Sequence, residues 1–233
     1  MMRFAGRVAI SRPLTTGTHA IEVEKPDAFS FRPTQFTWLQ IATAQGWDVR
    51  PMSLATSPTR PRLEYAVRLS DSEYKQAFAS LQPGDRVGVV GPVGDFVLDE
   101  SRPAVLVAGG IGITPLKGMA EYATDEGLPI PMRLLYSSRS QEEIVYRKEL
   151  EALERKNRNF RVLHTLTREP TETAWRGRTG RIGPELLQEA AAGLQEPVYY
   201  VCGTPEMVDA TFGLLEDLAV PSADVRVEAF HGY

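Results

Sequence analysis

The sequence predicts two domains, an antiparallel β-barrel over residues 1–100 followed by an α/β domain with a parallel sheet over residues 101–233. Three observations predict this. The chain has 233 residues, long for one minimal domain and well suited to two modest ones. Residues 3–98 alternate apolar and polar side chains in period two, broken by Pro and Gly, the pattern of short strands in a barrel or sandwich. After Ser101-Arg102-Pro103, short apolar runs alternate with segments of helical period, the pattern of a doubly wound sheet.

In the first half the strand-like segments are Arg7–Ser11, Ala20–Glu24, Phe36–Ile41, Leu63–Leu69 and Asp85–Val90. One helix interrupts them. Asp71 or Ser72 serves as its N-cap, Tyr74, Ala77, Phe78 and Leu81 form one apolar face, and Pro83-Gly84 stops it. In the second half, Ala104–Ala108 reads as a buried strand running through Gly109-Gly110-Ile111-Gly112 into a helix near Thr114–Glu126. A strand at Met132–Ser137, a helix near Glu142–Arg155 and a strand at Phe160–Thr165 follow. A helix near Pro184–Ala192, a strand at Val198–Cys202, a helix at Pro205–Leu218 and a strand at Val225–Phe230 complete the order.

Composition narrows the function classes. Lys and Arg number 26 against 30 Asp and Glu, for a net charge of −4, which argues against general nucleic-acid binding. The single cysteine, Cys202, rules out an internal disulfide and a cluster held by four cysteines of this chain, and it reads as cytoplasmic. His19, His164 and His231 are far apart, so no metal site is expected. No run approaches the ~20 apolar residues of a membrane span, and the N-terminus has no signal-peptide pattern.

The clearest local signal is the strand, glycine turn and helix at Val105–Met119. Glycines let backbone pass close to a diphosphate, and the following helix offers free N–H groups to that anion. Pro115 suits the first helical turn, where its missing N–H costs nothing. The spacing departs from the G-x-G-x-x-G fingerprint, so a plain tight turn accounts for the same glycines. Arg50-Pro51-Met52-Ser53, placed at the start of a strand, offers a guanidinium for phosphate and a hydroxyl for a heterocyclic nitrogen. A surface Arg in a Pro turn is the competing reading.

These segments occur in an order that resembles the ferredoxin–NADP reductase superfamily. Arg50-Pro51-Met52-Ser53 precedes Gly91-Pro92-Val93-Gly94-Asp95-Phe96, and Gly109-Gly110-Ile111-Gly112-Ile113-Thr114-Pro115 comes next. Cys202-Gly203-Thr204-Pro205-Glu206-Met207 and the terminal Val227-Glu228-Ala229-Phe230 follow. The resemblance spans about residues 3–230. It implies a flavin-binding barrel, a parallel-sheet nucleotide-binding domain, and a flavin ring at the seam between them.

By that resemblance Arg50 binds flavin phosphate, Ser53 stands beside the flavin N5, and Pro51 and Met52 belong to the same motif. Met52 replaces the family's usual aromatic residue, though its sulfur can still pack on a ring. Ser72 and Lys75 are candidates for a second phosphate contact, with an N-cap and a solvated lysine as the plain alternative. Cys202 faces the site of hydride transfer, with Gly203, Pro205 and Met207 shaping the nicotinamide pocket. Phe230 covers the flavin with Glu228 two residues before it, and Tyr233 is the rival to Phe230. Ser53, Cys202, Glu228 and Phe230 are thus the expected catalytic set.

The glycines Gly109, Gly110 and Gly112, with Ile113, Thr114 and Pro115, are expected to hold the nucleotide. Thr167-Arg168, matching the family's Ser-Arg, and Arg178 or Arg176 supply cations for a ribose 2′-phosphate, and Arg139 is a further nucleotide contact. A solvated basic loop is the competing reading. The resemblance implies FAD, with FMN open, and NADPH, with NADH open. The implied partner is a separate electron-carrier protein such as ferredoxin, flavodoxin or an oxygenase component. A reductase subunit of a larger oxygenase or hydrogenase complex is the alternative, and a non-enzymatic nucleotide-binding module is the third.

Overall fold

The computed structural model describes residues 1–168 and 175–231. The first sheet has six strands, β1 (Met2–Thr15), β2 (Thr18–Glu24), β3 (Phe36–Thr43), β4 (Gly46–Ser53), β5 (Arg62–Arg68) and β6 (Arg86–Val93). Their order is β4-β3-β6-β1-β2-β5, all antiparallel. β1 pairs with β6 through Met2–Arg7 and with β2 through Val8–Thr15, with a register shift between Val8 and Ile10. Such an irregularity bends a strand, and the sheet curls into a half-barrel. Beyond the end of β4, Ala55 N–H donates to Glu64 O at 2.9 Å, linking the two edges of the sheet.

Alternation explains the interior. Leu39, Ile41, Val87, Val89, Ile21 and Leu63 are fully buried on the concave face. Helix α1 (Glu73–Ser80) closes one end with Tyr74 and Phe78, and Tyr74 OH donates to Leu39 O at 3.0 Å. Ser72 is its N-cap residue.

The second sheet is parallel, in the order β10-β9-β8-β7-β11-β12. Its strands are β7 (Ala104–Gly109), β8 (Met132–Ser138), β9 (Phe160–Leu166), β10 (Arg178–Thr179), β11 (Val198–Gly203) and β12 (Val225–Ala229). Helices α2 (Ile113–Asp125), α3 (Arg147–Lys156), α4 (Pro184–Ala191) and α5 (Pro205–Asp217) cover it. β7 and β11 are central and their side chains are almost wholly buried. The chain builds outward from β7 to β10 and then returns to β11 on the other side of β7. A crevice therefore opens at the carboxyl ends of β7 and β11, where such sheets bind ligands.

Three elements differ from the sequence expectation. Arg50-Pro51-Met52-Ser53 ends β4 instead of starting a strand. β4 is an edge strand, and an edge tolerates Pro51, which hid the strand from its pattern. The helix expected from Glu142 begins only at Arg147, preceded by a 3-10 turn at Gln141–Glu143. Ile144, Val145 and Tyr146 are buried there, and Tyr146 adopts a left-handed φ of 61°. β-Branched neighbours favour such a break, and burial of three consecutive side chains is incompatible with one helical face. The short strand β10 carries too few residues for a pattern to reveal.

The two sheets are joined by α2. Gly118 lies against the carbonyl oxygens of Thr56 and Leu54, which would be 3.1 and 3.2 Å from a Cβ at that position. Lys117 Nζ donates to Ala55 O and to Glu64 Oε2, both at 2.8 Å, and Arg12 approaches Glu64 at 2.9 Å. Among the described residues no helix is long and apolar enough to cross a membrane, and no cluster of metal-ligating side chains could hold a metal ion.

Candidate functional site

The seam between the sheets opens into a cavity of about 260 Å³. The end of β4 contributes Pro51, Met52 and Ser53, and the end of β5 contributes Ala66 and Val67. Ile111 and Thr114 enter from the start of α2, and Glu228, Phe230 and His231 from the end of the chain. A larger cleft of about 520 Å³ adjoins it, lined by Gly109, Gly110, Arg139, Thr167, Thr204 and Met207 among others. Arg68, Lys75 and Ile111 line both spaces.

Glycines make the crevice possible. A Cβ on Gly112 would run into the carbonyl oxygen of Cys202, so only glycine lets the α2 turn approach β11 this closely. Gly110 has a φ of 52°, the left-handed region that favours glycine. The Met207 sulfur fills the space where Gly109 and Gly203 have no side chain. Thr204 caps α5, its Oγ1 accepting from Met207 N at 3.4 Å, with Pro205 in the first turn.

β11 and β12 bring Cys202 and Glu228 side by side as register partners. Phe230 N–H then donates to Gly203 O at 2.9 Å, which fixes the residue after β12 at the cavity. Ser53 Oγ donates to Glu228 Oε1 at 3.3 Å, while the buried Glu228 Oε2 has no partner. Burial pushes the Glu228 carboxyl up to about 7, and the Ser53 bond opposes that rise. Burial pushes the Cys202 thiol well above its usual range, and nearby Glu228 adds to the effect, so Cys202 is a neutral thiol.

At the mouth, two cations face one another. Burial lowers the Lys75 ammonium and neighbouring Arg68 lowers it further. Arg68 reaches Glu143 at 3.3 Å. A phosphate placed here would relieve the repulsion between the two cations.

The sequence candidates separate into three groups. Met52, Ser53, Lys75, Thr114, Glu228 and Phe230 line the cavity, and Gly109, Gly110, Arg139, Thr167 and Met207 line the cleft. Gly112, Ile113, Cys202 and Gly203 are buried immediately behind them, and Pro115 and Pro205 sit in the helix turns they open. Arg168 flanks the cleft, its N–H donating to Arg139 O at 2.8 Å.

Four others, Arg50, Ser72, Arg176 and Arg178, lie elsewhere. Arg50 lines neither space; its guanidinium contacts Asp48 at 2.8 Å and lies over the Tyr74 ring. Ser72 is exposed at the start of α1 and makes no side-chain cap bond. Arg178 forms an ion pair with Glu189 of α4, and Arg176 is exposed. Tyr233 lies outside the described residues. The structure adds Arg68, Phe36 and His231 as lining residues. Arg68 ends a strand that is buried from Leu63 to Val67, and only its position at the seam distinguishes it from other surface arginines.

The cavity suits a planar heteroaromatic ring. Its walls are largely apolar, it carries a hydroxyl and an unsatisfied buried carboxyl oxygen, and two cations stand at its mouth. The adjoining cleft suits an extended anionic nucleotide on glycine backbone.

Comparison with known proteins points the same way. A model of the oxidoreductase NAD-binding domain matches residues 106–212. Ferredoxin–NADP reductase B of Sorangium cellulosum is 34% identical over 239 residues, covering 97% of each chain. The reductase component of propane 2-monooxygenase from Mycolicibacterium goodii is 26% identical over 88% of this chain, which spans only 61% of that protein. A solved structure of a ferredoxin NADP+ reductase from Neisseria gonorrhoeae, with bound FAD and NADP, superposes with a TM-score of 0.83. It is 22% identical, with 98% of this chain and 99% of that one covered, a likeness of fold.

Proposed function

The chain belongs to the ferredoxin–NADP reductase family and is an NAD(P)H-dependent flavoprotein oxidoreductase, and we propose that it uses FAD and NADPH to reduce a separate one-electron carrier protein. In this reading residues 1–100 hold the flavin and residues 101–233 the nucleotide. Bound flavin supplies the exchange between two-electron and one-electron chemistry. The protein supplies position, exclusion of water and charge.

The observation that carries this reading is the apolar cavity joined to a glycine-floored cleft, with Ser53 and Glu228 on the cavity wall and Cys202 buried beside Glu228. Ser53 presents a hydroxyl whose proton is shared with Glu228. Glu228, titrating near neutrality, can hold or release a proton at Oε2 without leaving the site. Cys202 fills the space beneath them as an uncharged thiol. Phe230 covers one side of the cavity and lies next to the cleft, so a nicotinamide entering from the cleft must displace it. Arg68 and Lys75 stand between the two spaces and suit diphosphate oxygens. Thr167, Arg168 and Arg139 are assigned to the ribose 2′-phosphate.

The acceptor is assigned to the class of ferredoxins, flavodoxins and oxygenase components. A role as the reductase subunit of an oxygenase is the second reading, favoured by the match to the monooxygenase component. Co-purification with a stoichiometric partner selects it. The buried, unpaired Cys202 supports a cytoplasmic location.

The test is an absorbance spectrum of the purified protein followed by anaerobic addition of NADPH or NADH. Oxidised flavin bands that bleach faster with NADPH support the whole reading. Faster bleaching with NADH overturns the phosphate assignment alone. No flavin after reconstitution with FAD or FMN overturns the reading itself.

A further inference from the structure

The convex face of the first sheet carries a feature that the cavity does not use. By strand alternation, β3 presents Trp38 and Gln40 outward, and β4 presents Pro51, Val49 and Trp47. Trp38 is 40% exposed, Val49 42% and Trp47 59%, the large apolar side chains that a protein normally covers. β6 and β1 continue the face through Val90, Gly88 and Ala5, flanked by Arg3, Arg7 and Arg86. Among the outward residues of β3, β4, β6 and the Met2–Arg7 part of β1 every charge is an arginine, in a chain whose net charge is −4. Arg3 and Arg86 make no ion pair or side-chain hydrogen bond among the described residues. They line a shallow groove of about 490 Å³ with Trp47 and Gln40. A Cβ at Gly88 would stand 2.9 Å from Gln40 Oε1, so glycine lets Gln40 lie flat and keeps the groove open.

The face is continuous with the cavity. Phe36 lines the cavity, and its ring meets that of Trp38 edge-on, with centroids 6.1 Å apart. Phe36 pairs with Ser53, and Trp38 pairs with Pro51, the next outward residue of β4. A body seated over Trp38 is therefore one ring contact from the cavity wall. From Pro51 the stripe runs about 13 Å along β4 to Trp47.

We propose that the face spanning Trp38, Trp47, Arg3 and Arg86 is the docking surface for the one-electron carrier, and that the carrier presents an acidic rim around an apolar centre. The inference rests on the reductase reading above. Exposed tryptophans flanked by arginines are the side chains that dominate binding at protein interfaces. A one-sign charge pattern selects a partner of opposite sign and speeds its encounter. The stoichiometry follows: NADPH gives two electrons and one proton, two oxidised carriers each gain one electron, and NADP+ and a proton are released.

The test compares the flavin-loaded wild type with Arg3→Glu/Arg86→Glu and with Trp38→Ala. A plant-type [2Fe–2S] ferredoxin is the probe. Its dissociation constant is measured by calorimetric titration at about 20 mM and about 200 mM salt. NADPH-dependent ferricyanide reduction is measured in parallel. The wild type is expected to bind ferredoxin more weakly at the higher salt. The double-glutamate variant is expected to bind at least about tenfold more weakly and to lose most of the salt dependence. Trp38→Ala weakens binding about tenfold at both salt levels. Ferricyanide reduction stays at the wild-type level in both variants. Equal ferredoxin affinity in all three proteins overturns the proposal, as does a wild type that reduces ferricyanide but does not bind ferredoxin. A dimer abolished by Trp38→Ala, with no ferredoxin binding, overturns it in favour of a second copy of this chain. A wild type that fails to reduce ferricyanide with NADPH overturns instead the reductase reading.

Discussion

Ser53 and Glu228 meet across the seam between the two sheets, Ser53 Oγ donating to Glu228 Oε1 at 3.3 Å although 175 residues separate them. Ser53 ends β4 and Glu228 is the penultimate residue of β12. Neither sheet alone makes this contact, so it forms only when the two halves close on one another.

The pH dependence of stability tests it. Burial raises Glu228 from 4.5 to about 7. Between those values the folded protein holds a proton that the unfolded chain releases. The stabilisation is therefore complete below about pH 4.5 and is lost as pH rises through about 7. Glu228→Gln is expected to flatten that part of the Tm–pH profile. Ser53→Ala removes the bond that opposes the rise and extends the slope to higher pH. Identical profiles for wild type and Glu228→Gln would show that the carboxyl does not titrate in this range.

Cys202 is expected to act through shape. As a buried neutral thiol it should resist iodoacetamide in the folded protein at pH 8 and react once the chain is unfolded. Cys202→Ala leaves flavin bound but removes packing behind the cavity wall, beside Glu228. Misplacement there slows NADPH-driven flavin bleaching by about 10-fold to 100-fold. Stopped-flow absorbance measures this directly, and full wild-type speed in the variant would remove Cys202 from the mechanism.

Gly112→Ala forces a Cβ onto the Cys202 carbonyl. The neighbour is strand backbone and cannot swing aside. The expected cost is about 2–3 kcal/mol of stability, typical of overpacking in a tight core. Gly110→Ala meets open space and pays only for its left-handed φ of 52°, about 1 kcal/mol. Denaturant unfolding of the two variants should rank them in that order.

The order of elements and much of the candidate site were legible in the sequence for physical reasons. β7 reads as a fully apolar run because both its faces are covered, and Gly112 after it is required by the closeness of β11. Ser53, Cys202, Glu228 and Phe230 lie in short motifs that can be read directly from the chain, and the structure brings them together at the seam. β4 was not legible because an edge strand accepts Pro51 and exposes most of its residues. Arg68 was not legible because its role comes from where β5 ends relative to α2, a tertiary fact. Arg50 and Arg178 were expected at phosphates, but charged neighbours Asp48 and Glu189 engage them in the structure. Sequence proximity to a motif does not say where a long side chain will point.

Lys117 and Glu64 form an ion pair across the seam, with side chains 6% and 7% exposed. Lys117→Met leaves Glu64 buried with Arg12 as its remaining cation, at an expected cost of about 3 kcal/mol. Lys117→Met/Glu64→Leu removes both charges and should recover most of that loss, because two apolar side chains replace two desolvated ions. A double variant no more stable than Lys117→Met would show that the pair contributes more than charge balance.

Arg139 lines the cleft, and Arg168 is tied to it by the backbone bond from Arg168 N–H to Arg139 O at 2.8 Å. The ends of β8 and β9 thus present two guanidinium-bearing residues beside Thr167, while Arg178 is occupied by Glu189. A 2′-phosphate contact made by these residues is lost with them, whereas NADH never makes it. Arg168→Gln and Arg139→Gln are each expected to raise the KM for NADPH about tenfold, the usual worth of one charge-assisted contact. The KM for NADH should change less than twofold, and kcat should hold with both nucleotides, because the contact lies away from the reacting atoms. Equal losses for NADPH and NADH would move these arginines from the ribose phosphate to the diphosphate, and no loss with either would return them to the solvated loop.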